Sequence, residues 1–206
     1  MPSIYGLKPK FQALLRPIVN WLARIGITAN QVTVAALLLS VTTGGVIGRQ
    51  HGGRSLLLLP VVLFVRMALN AMDGMLAREH KQKSALGAIL NELGDVVADI
   101  GLYFPLAFVP GFDPRLVAAV VLLSVLTEMA GAIGVEIGAS RRYDGPLGKS
   151  DRAFVFGLLG LLMGFGAKLD RIVFYVLFLM VLLLVITIFN RARCALREIK
   201  SSPSPK

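Results

Sequence analysis

The chain is poor in three kinds of residue on which other classes of protein depend. It has one cysteine, Cys194, which excludes an internal disulfide. Its two histidines, His51 and His80, lie far apart and give no zinc-binding pattern. Charged residues make up only 17% of the 206 residues, 55% are hydrophobic, and the mean hydropathy is +0.72. This composition is too apolar for an ordinary soluble domain and indicates an integral membrane protein.

The apolar residues come in runs that match the thickness of a bilayer, for which a helix of about 20 residues is needed. We predict six transmembrane helices, at residues 28–48, 55–78, 84–108, 115–138, 152–167 and 171–190. Residues 4–25 place apolar and basic side chains at helical spacing, which is typical of an amphipathic helix in the headgroup layer. The alternative for this segment is a cytosolic helix packed on the bundle.

The predicted architecture is therefore a single all-α membrane domain over residues 1–200, with a polar cavity that faces the cytoplasm. The N-terminus lacks the uninterrupted apolar core of a cleavable signal peptide. The tail at residues 201–206, SSPSPK, is predicted to be disordered.

The net charge of +10 is explained by membrane contact rather than by nucleic acid, because the basic residues lie between the apolar runs. Sixteen of the 22 lysines and arginines fall in the N-terminal segment, the turn between helices two and three, the loop between helices four and five, and the C-terminal segment. Five fall in the connections on the other side. The positive-inside rule then predicts a multi-pass protein with both termini in the cytoplasm.

Polar residues form stripes on two successive predicted helices. Asn70 and Asp73 lie one turn apart on the second helix, and Asn91 and Asp95 lie one turn apart on the third. At about 1.5 Å of rise per residue from the intervening turn, Asp73 matches Asn91 in depth, and Asn70 matches Asp95. Carboxylate and amide oxygens on two facing helices predict a site for a hard divalent cation.

Five further charged residues at or within the predicted spans have open roles. Asp99 would lie about 22 Å from the turn, below the cluster. Glu92 would lie about 100° around its helix from the stripe and could supply a further carboxylate. Arg66 could neutralise the acids of the cluster. For Glu128 and Glu136 in the fourth helix, an interhelical hydrogen bond and a functional role are equally good explanations.

The loop between the fourth and fifth helices, RRYDGPLGKSDR, is the second concentration of polar residues. Lys149 and Arg152 adjoin a compact turn and could hold a phosphate as a point charge or as a bidentate fork. For Arg141 and Arg142, ordinary flanking charge on the cytoplasmic side is an equally good explanation.

The stretch NAMDGMLAREHKQKSALGAILNELGD, from residue 70 to residue 95, resembles the signature of the CDP-alcohol phosphatidyltransferases. That signature is D-x-x-D-G-x-x-A-R, eight residues, and then G-x-x-x-D-x-x-x-D. The residues that match it at the right spacing are Asp73, Gly74, Ala77, Arg78, Gly87 and Asp95. Asn70 and Asn91 stand at its first and third aspartates, which is similar to a bacterial inner-membrane subgroup.

The resemblance implies transfer of a phosphatidyl group from CDP-diacylglycerol to a small polar alcohol, with or without a phosphate, and release of CMP. It implies one or two Mg²⁺ or Mn²⁺ ions on Asp73, Asp95, Asn70 and Asn91, with Asp95 also serving as the base. It implies that Gly74, Ala77, Arg78 and Gly87 surround the nucleotide of the CDP-lipid. Lys149, Arg152, Arg141 and Arg142 are then the candidates for binding the acceptor.

The two asparagines lower the formal charge of the four-residue cluster from −4 to −2. Weaker binding of metal, or binding of a single ion, is therefore one expectation, and a catalytically degenerate family member that binds lipid or acts as a scaffold is the alternative. A small transporter is a third reading, but the acids cluster near one face and leave no path to the other. The acceptor alcohol and a homodimer stay open.

Overall fold

The computed structural model describes residues 7–201, with side-chain burial from residue 10 onward. Ile4 in the predicted amphipathic helix and residues 202–206 of the predicted disordered tail lie outside the described residues. All regular structure within residues 7–201 is helical. The helices are α1 (Leu7–Arg24), α2 (Ala29–Arg49), α3 (Leu58–Glu79), α4 (Ala85–Tyr103), α5 (Pro114–Glu136), α6 (Lys149–Gly164) and α7 (Asp170–Ser201).

Within the described residues, four helical segments are long and apolar enough to cross a membrane: α2, Gly53–Glu79, α5 and α7. The predicted membrane protein is therefore confirmed at the level of an all-helical, multi-pass chain. α4 falls outside this group because it carries three acids, and α6 because it has only 16 residues. Six crossings, the placement of α1 in the headgroup layer and the cytoplasmic termini stay predictions.

Two predicted helices have a short 3₁₀ segment at one end, Gly53–Leu57 at the start of the span 55–78 and Phe104–Phe108 at the end of the span 84–108. Before the first, Gly52 has a φ of +87°, which glycine adopts without a steric penalty. In the second, Pro105 lacks a backbone N–H, so α4 ends at Tyr103 rather than at the predicted residue 108.

Two other boundaries extend beyond the prediction. α6 begins at Lys149, three residues early, because the Asp151 carboxylate accepts a hydrogen bond from the N–H of Gly148 at 2.8 Å. α7 continues to Ser201 instead of ending at residue 190, because the sequence RARCALREIK is rich in strong helix formers.

The chain divides into two compact units, and the first consists of the described part of Met1–Thr43 together with Val61–Leu102. Its core joins α1, α2 and α3. The buried residues of this core are Leu15, Val19, Ala29, Val32, Met72, Met75 and Leu76. α2 begins with a capping box, in which the Thr28 hydroxyl accepts from the N–H of Gln31, and Gln31 Oε1 accepts from the N–H of Thr28.

α1 has two apolar faces, of which only one is buried. Leu15 and Val19 lie in the core, whereas Leu14, Ile18 and Trp21 are 72%, 47% and 57% exposed. An exposed apolar stripe on a helix whose other face is already packed is the pattern of a helix that also contacts lipid.

The second unit consists of Gly44–Pro60 and Tyr103–Lys206, of which the structure describes residues up to Ser201. In it, α5 packs against α7, and α6 packs against the 3₁₀ segment Gly53–Leu57. The ring of Tyr103 stacks on the ring of Phe156 with 4.4 Å between their centroids. A Cβ at Gly160 would lie 2.9 Å from the carbonyl oxygen of Leu56, so glycine is needed for this close approach.

Candidate active site

A cavity of about 660 Å³ opens in the first unit between α2, α3, α4 and the turn that joins α3 to α4. Its lining residues are Ala29, Asn30, Thr33, Asn70, Asp73, Gly74, Ala77, Arg78, Gln82, Lys83, Ser84, Ala85, Gly87, Ala88 and Asn91. Seven of the eight residues predicted for the metal and the CDP-lipid are in this set. The eighth, Asp95, does not line the cavity and adjoins it through Asn70.

Asp73 is the buried acid of the cavity, with only 5% of its surface exposed. Its Oδ2 accepts a hydrogen bond from Thr33 Oγ1 at 2.8 Å. The Thr33 hydroxyl also lies 3.1 Å from the carbonyl oxygen of Ala29, one turn earlier on α2. α2 therefore fixes the orientation of the carboxylate that α3 supplies.

Asn70 and Asp95 meet at the depth that the helical rise predicts. Asn70 Nδ2 donates to Asp95 Oδ1 at 3.0 Å, and Arg66 Nη2 donates to the backbone carbonyl of Asp95 at 3.1 Å. Arg66 Nη1 lies 2.6 Å from Asp99 Oδ1. Asp99 is thus an ion-pair partner of a buried arginine and does not line the cavity, whereas Asn91 does.

Two glycines, Gly74 and Gly87, line the cavity with backbone that carries no side chain. A Cβ at Gly74 would lie 3.2 Å from the guanidinium of Arg78, which folds back over this position. A Cβ at Gly87 would lie 2.8 Å from Asn30 Oδ1 and 3.0 Å from Ser84 Oγ. Side chains at either position would therefore displace polar groups that line the cavity.

The turn after α3 is tied to both neighbouring helices. Gln82 Oε1 accepts from the N–H of Ala29 at 2.7 Å, at the start of α2. Ser84 Oγ accepts from the N–H of Gly87 at 3.0 Å, in the first turn of α4. These bonds fix the mouth of the cavity.

The donor atoms of the cavity fit a hard divalent cation. Asp73, Asn70 and Asn91 offer one carboxylate and two amide groups, and Asp95 adds a second carboxylate beside Asn70. Among the described residues there is no group of three or more histidines, cysteines or acids that could hold a metal. Asn70 and Asn91 contribute amide groups to the cavity rather than carboxylates.

A second polar cluster lies in the second unit, around the loop between α5 and α6. Arg142 donates from Nε and Nη2 to the two carboxylate oxygens of Asp144, at 2.7 and 2.9 Å. Its Nη1 donates to Glu198 of α7 at 2.5 Å, and Glu198 also accepts from the N–H of Ser140 at 2.8 Å. The hydrogen bonds between Arg142 and Asp144 lower the pKa of the carboxyl and raise the pKa of the guanidinium.

Three other arginines converge on Glu128 of α5. Arg152 Nη2 lies 3.3 Å from Glu128 Oε1, while Arg191 Nη1 and Arg141 Nη2 lie 3.6 and 3.8 Å from Oε2. Arg152 and Arg191 are buried, with side-chain exposures of 0% and 2%. Arg191 also donates to the backbone carbonyls of Thr127 and Asp144.

From the sequence, Arg191 counts among the flanking charges of the C-terminal segment. In the structure, Thr187 and Arg191 lie one turn apart and form a buried polar stripe on α7, which the sequence alone does not distinguish from flanking charge. Opposite this stripe, a Cβ at Gly131 would lie 2.8 Å from the carbonyl oxygen of Arg142 and 3.3 Å from Arg191 Nη1. Of the predicted acceptor residues, Lys149 begins α6 and Arg141 lies over the ring of Tyr143.

Several apolar helices, together with a cavity lined by carboxylate and amide groups, indicate a multi-pass membrane protein with a candidate site for a divalent cation and an anionic ligand. The family model of the CDP-alcohol phosphatidyltransferases matches residues 26–196. The chain belongs to this family.

Two curated relatives differ in how much they share with the chain. It is 52% identical over 159 residues to the inner membrane protein YnbA of Escherichia coli (strain K12), covering 77% of this chain and 79% of that protein. It is 31% identical over 101 residues to the archaetidylinositol phosphate synthase of Pyrococcus horikoshii, covering 49% of this chain and 52% of that protein.

A solved protein shares the fold. Phosphatidylinositol phosphate synthase PgsA1 of Mycobacterium tuberculosis, with CDP-DAG bound, superposes with a TM-score of 0.74 at 21% identity, covering 91% of this chain and 94% of the other. The same protein in complex with manganese and citrate gives a TM-score of 0.75 at 20% identity, covering 91% and 90%.

Proposed function

We propose that this protein transfers a phosphatidyl group from CDP-diacylglycerol to a small polar alcohol and releases CMP, as a step of phospholipid synthesis. The observation that carries the proposal is the cavity of the first unit, where the signature residues line one polar space. Membership of the family supports the reaction class. The PgsA1 structure with CDP-DAG bound supports the choice of donor.

The donor is bound by the walls of the cavity. Arg78 is exposed at the cavity and supplies positive charge to the diphosphate, while Gly74 and Gly87 let the nucleotide approach the backbone. Ala77, which lies between Gly74 and Arg78 in the sequence of α3, adds a small side chain to the lining of the cavity. A cavity of about 660 Å³ is of the size that holds a small molecule or a headgroup.

Asp73, Asp95, Asn70 and Asn91 would hold one or two divalent ions. Mg²⁺ or Mn²⁺ at these oxygens would neutralise the diphosphate of the donor and stabilise the departing CMP. The manganese complex of PgsA1 supports a divalent ion in this fold.

Asp95 is the base. Its carboxylate takes the proton of the acceptor hydroxyl while the hydroxyl oxygen forms a bond to the lipid-side phosphorus. The bond from that phosphorus to the oxygen of CMP breaks, and CMP leaves with the electron pair. The hydrogen bond from Asn70 and the contacts from Arg66 hold the Asp95 carboxylate in orientation.

The acceptor is bound by the basic residues of the second unit that the sequence singles out, namely Lys149, Arg152, Arg141 and Arg142. Arg141, Arg142 and Lys149 donate hydrogen bonds to the oxygen atoms of a polar head, whereas Arg152, whose side chain is fully buried, acts through its ion pair with Glu128. The chain works as one domain over residues 1–200, and the family model supports this because its match runs through both units.

We propose that the protein lies in a bacterial inner membrane with both termini in the cytoplasm. The relative YnbA is named as an inner membrane protein, and the excess of basic residues on one side supports the orientation. We expect a reporter that works only in the cytoplasm to be active when it is fused after Lys206. Activity only in the periplasm contradicts the orientation and leaves the reaction untouched.

The function is tested on purified protein in detergent with CDP-diacylglycerol, Mn²⁺ and a panel of alcohols. Release of CMP is followed, and the lipid product is identified by mass spectrometry. We expect one acceptor to give a new phospholipid and stoichiometric CMP, and a chelator to stop both. If no alcohol yields CMP although CDP-diacylglycerol binds, the chain is a lipid-binding member of the family and the proposal is wrong.

A further inference from the structure

The second unit holds a cluster of buried and partly buried charged side chains that pair with one another. Four guanidiniums face three carboxylates: Arg141, Arg142, Arg152 and Arg191 with Glu128, Asp144 and Glu198. Three of the four guanidiniums converge on the single carboxylate of Glu128. This carboxylate is 18% exposed, so part of it can still be reached by a small molecule.

The three arginines around Glu128 form an anion-binding site, and the anion that occupies it is the carboxylate of Glu128 itself. Proteins bind a phosphate monoester by aiming several arginine N–H groups at its oxygens. Here Glu128 Oε1 faces Arg152, and Oε2 faces Arg191 and Arg141. The fourth guanidinium, on Arg142, already makes a bidentate contact with Asp144.

A phosphate brought to these arginines would meet the charge of Glu128. If both anions stayed, like charges would lie within a few ångströms of each other, which is strongly unfavourable. If Glu128 moved away, Arg152 and Arg191 would lose the acid that compensates them in a buried site. An uncharged hydroxyl avoids both costs, because it can donate to Glu128 and accept from Arg141 while the ion pairs remain.

We propose that Glu128 is the specificity-determining residue for the acceptor, and that it selects an alcohol with no phosphate group. The inference rests on the proposed function and narrows its acceptor class. Glu128 occupies the place of an acceptor phosphate, so the natural acceptor is a polyol or another alcohol whose polar groups are hydroxyls. Removal of the Glu128 charge converts the cluster into a site for a phosphorylated alcohol.

The test compares acceptors in matched pairs. Purified wild type is given CDP-diacylglycerol and Mn²⁺ with glycerol or glycerol 3-phosphate, and with inositol or inositol 1-phosphate. We expect kcat/KM to favour the unphosphorylated member of the productive pair by at least about tenfold. Glu128→Gln keeps the shape and removes the charge, and its preference should shift toward the phosphorylated member by at least about tenfold.

The matched control is Glu136→Gln, which neutralises an exposed carboxylate on the same helix, two turns further along. Its acceptor preference should equal that of wild type. A second readout does not depend on turnover: calorimetric titration with inorganic phosphate, with CDP-diacylglycerol present to fill the cavity of the first unit, should show binding to Glu128→Gln and none to wild type or Glu136→Gln. Far-UV circular dichroism and thermal unfolding establish that each variant is folded.

The outcomes separate this inference from the proposed function. A wild type that prefers the phosphorylated acceptor overturns the inference and leaves the reaction standing. If no acceptor yields CMP, the proposed function is wrong, and the phosphate titration alone then tests the inference about Glu128. Phosphate binding by wild type, or none by a folded Glu128→Gln, overturns it. If Glu128→Gln does not fold, the acceptor preference and the phosphate titration of wild type decide.

Discussion

The cavity of the first unit and the arginine cluster of the second unit both hold charge among apolar helices, but they stabilise it differently. In the cavity, the Asp73 carboxylate accepts from the uncharged hydroxyl of Thr33, and beside the cavity Asp95 accepts from the amide of Asn70 and, at 3.5 Å, from the guanidinium of Arg66. In the cluster, buried Arg152 faces the carboxylate of Glu128. A neutral donor orients an acid without cancelling its charge, whereas an ion pair cancels it. The cavity therefore keeps part of its acidic charge for a ligand, and the cluster uses most of its charge within the fold.

The largest effect should come from removing the base in the cavity. Asp95→Asn preserves the shape of the side chain and removes its charge, so CMP release should fall by about 10²–10⁴-fold, the usual contribution of a general base. Thermal unfolding should remain cooperative. Glu136→Gln makes the same chemical change at an exposed position and should retain activity. Full activity in Asp95→Asn would contradict the role of Asp95 as the base.

The next effect should be on stability and should come from the cluster. Arg152→Ala leaves Glu128 with one fewer buried partner, and loss of one member of a buried ion pair costs about 3–5 kcal/mol of the free energy of unfolding. Arg141→Ala should cost no more than about 1 kcal/mol, because Arg141 is 26% exposed and 3.8 Å from Glu128. Chemical denaturation in detergent measures both. If both variants lose the same free energy of unfolding, the difference in burial between Arg152 and Arg141 does not determine their contributions to stability.

A smaller effect should follow from adding charge to the cavity. Asn70→Asp combined with Asn91→Asp should tighten Mn²⁺ binding about tenfold or more, since a carboxylate about 4 Å from a divalent ion gains on the order of 2 kcal/mol even in water. Turnover need not rise, because tighter metal binding can slow product release. Calorimetric titration with Mn²⁺ measures the affinity, and Asn20→Asp, outside the cavity, is the control. Unchanged affinity in the double variant would contradict the assignment of these residues as ligands.

The smallest effect should be on the pH dependence of stability in the loop. The hydrogen bonds from Arg142 lower the pKa of Asp144, so this carboxyl contributes stability above its ordinary pKa of about 4. That contribution is lost as the pH falls from about 4 through the lower pKa of the folded state. Wild type should therefore be more stable than Asp144→Asn at pH 7, and the difference should shrink below about pH 4. A difference that stays constant down to pH 2 would contradict this account.

The contacts of the cavity were predictable because they depend on local spacing. A rise of about 1.5 Å per residue from a short turn is enough to place Asn70 opposite Asp95. The positions of Gly74, Gly87 and Arg78 in the cavity are predicted by the family signature, in which these residues have fixed spacing. The 3₁₀ segment Phe104–Phe108 also has a local cause in Pro105, although the sequence interpretation extended the helix through it.

The contacts of the cluster were not predictable in the same way, because its partners come from distant parts of the chain. Arg191 and Glu128 lie on different helices, and no periodicity links them. Arg191 follows an apolar run, where a flanking charge is the ordinary expectation. Only the packing of α5 against α7 shows that this charge is buried.

The length of α7 has a consequence for how the protein responds to its membrane. Its 32 residues extend over about 48 Å, whereas the hydrocarbon core of a bilayer is about 30 Å thick. The surplus of about 18 Å corresponds to the charged segment after residue 190, which contains Glu198. Hydrophobic mismatch tilts a helix or deforms the bilayer around its apolar part. The bonds from Ser140 and Arg142 to Glu198 lie beyond that part, so the conformation of the loop should be the same in thin and thick bilayers.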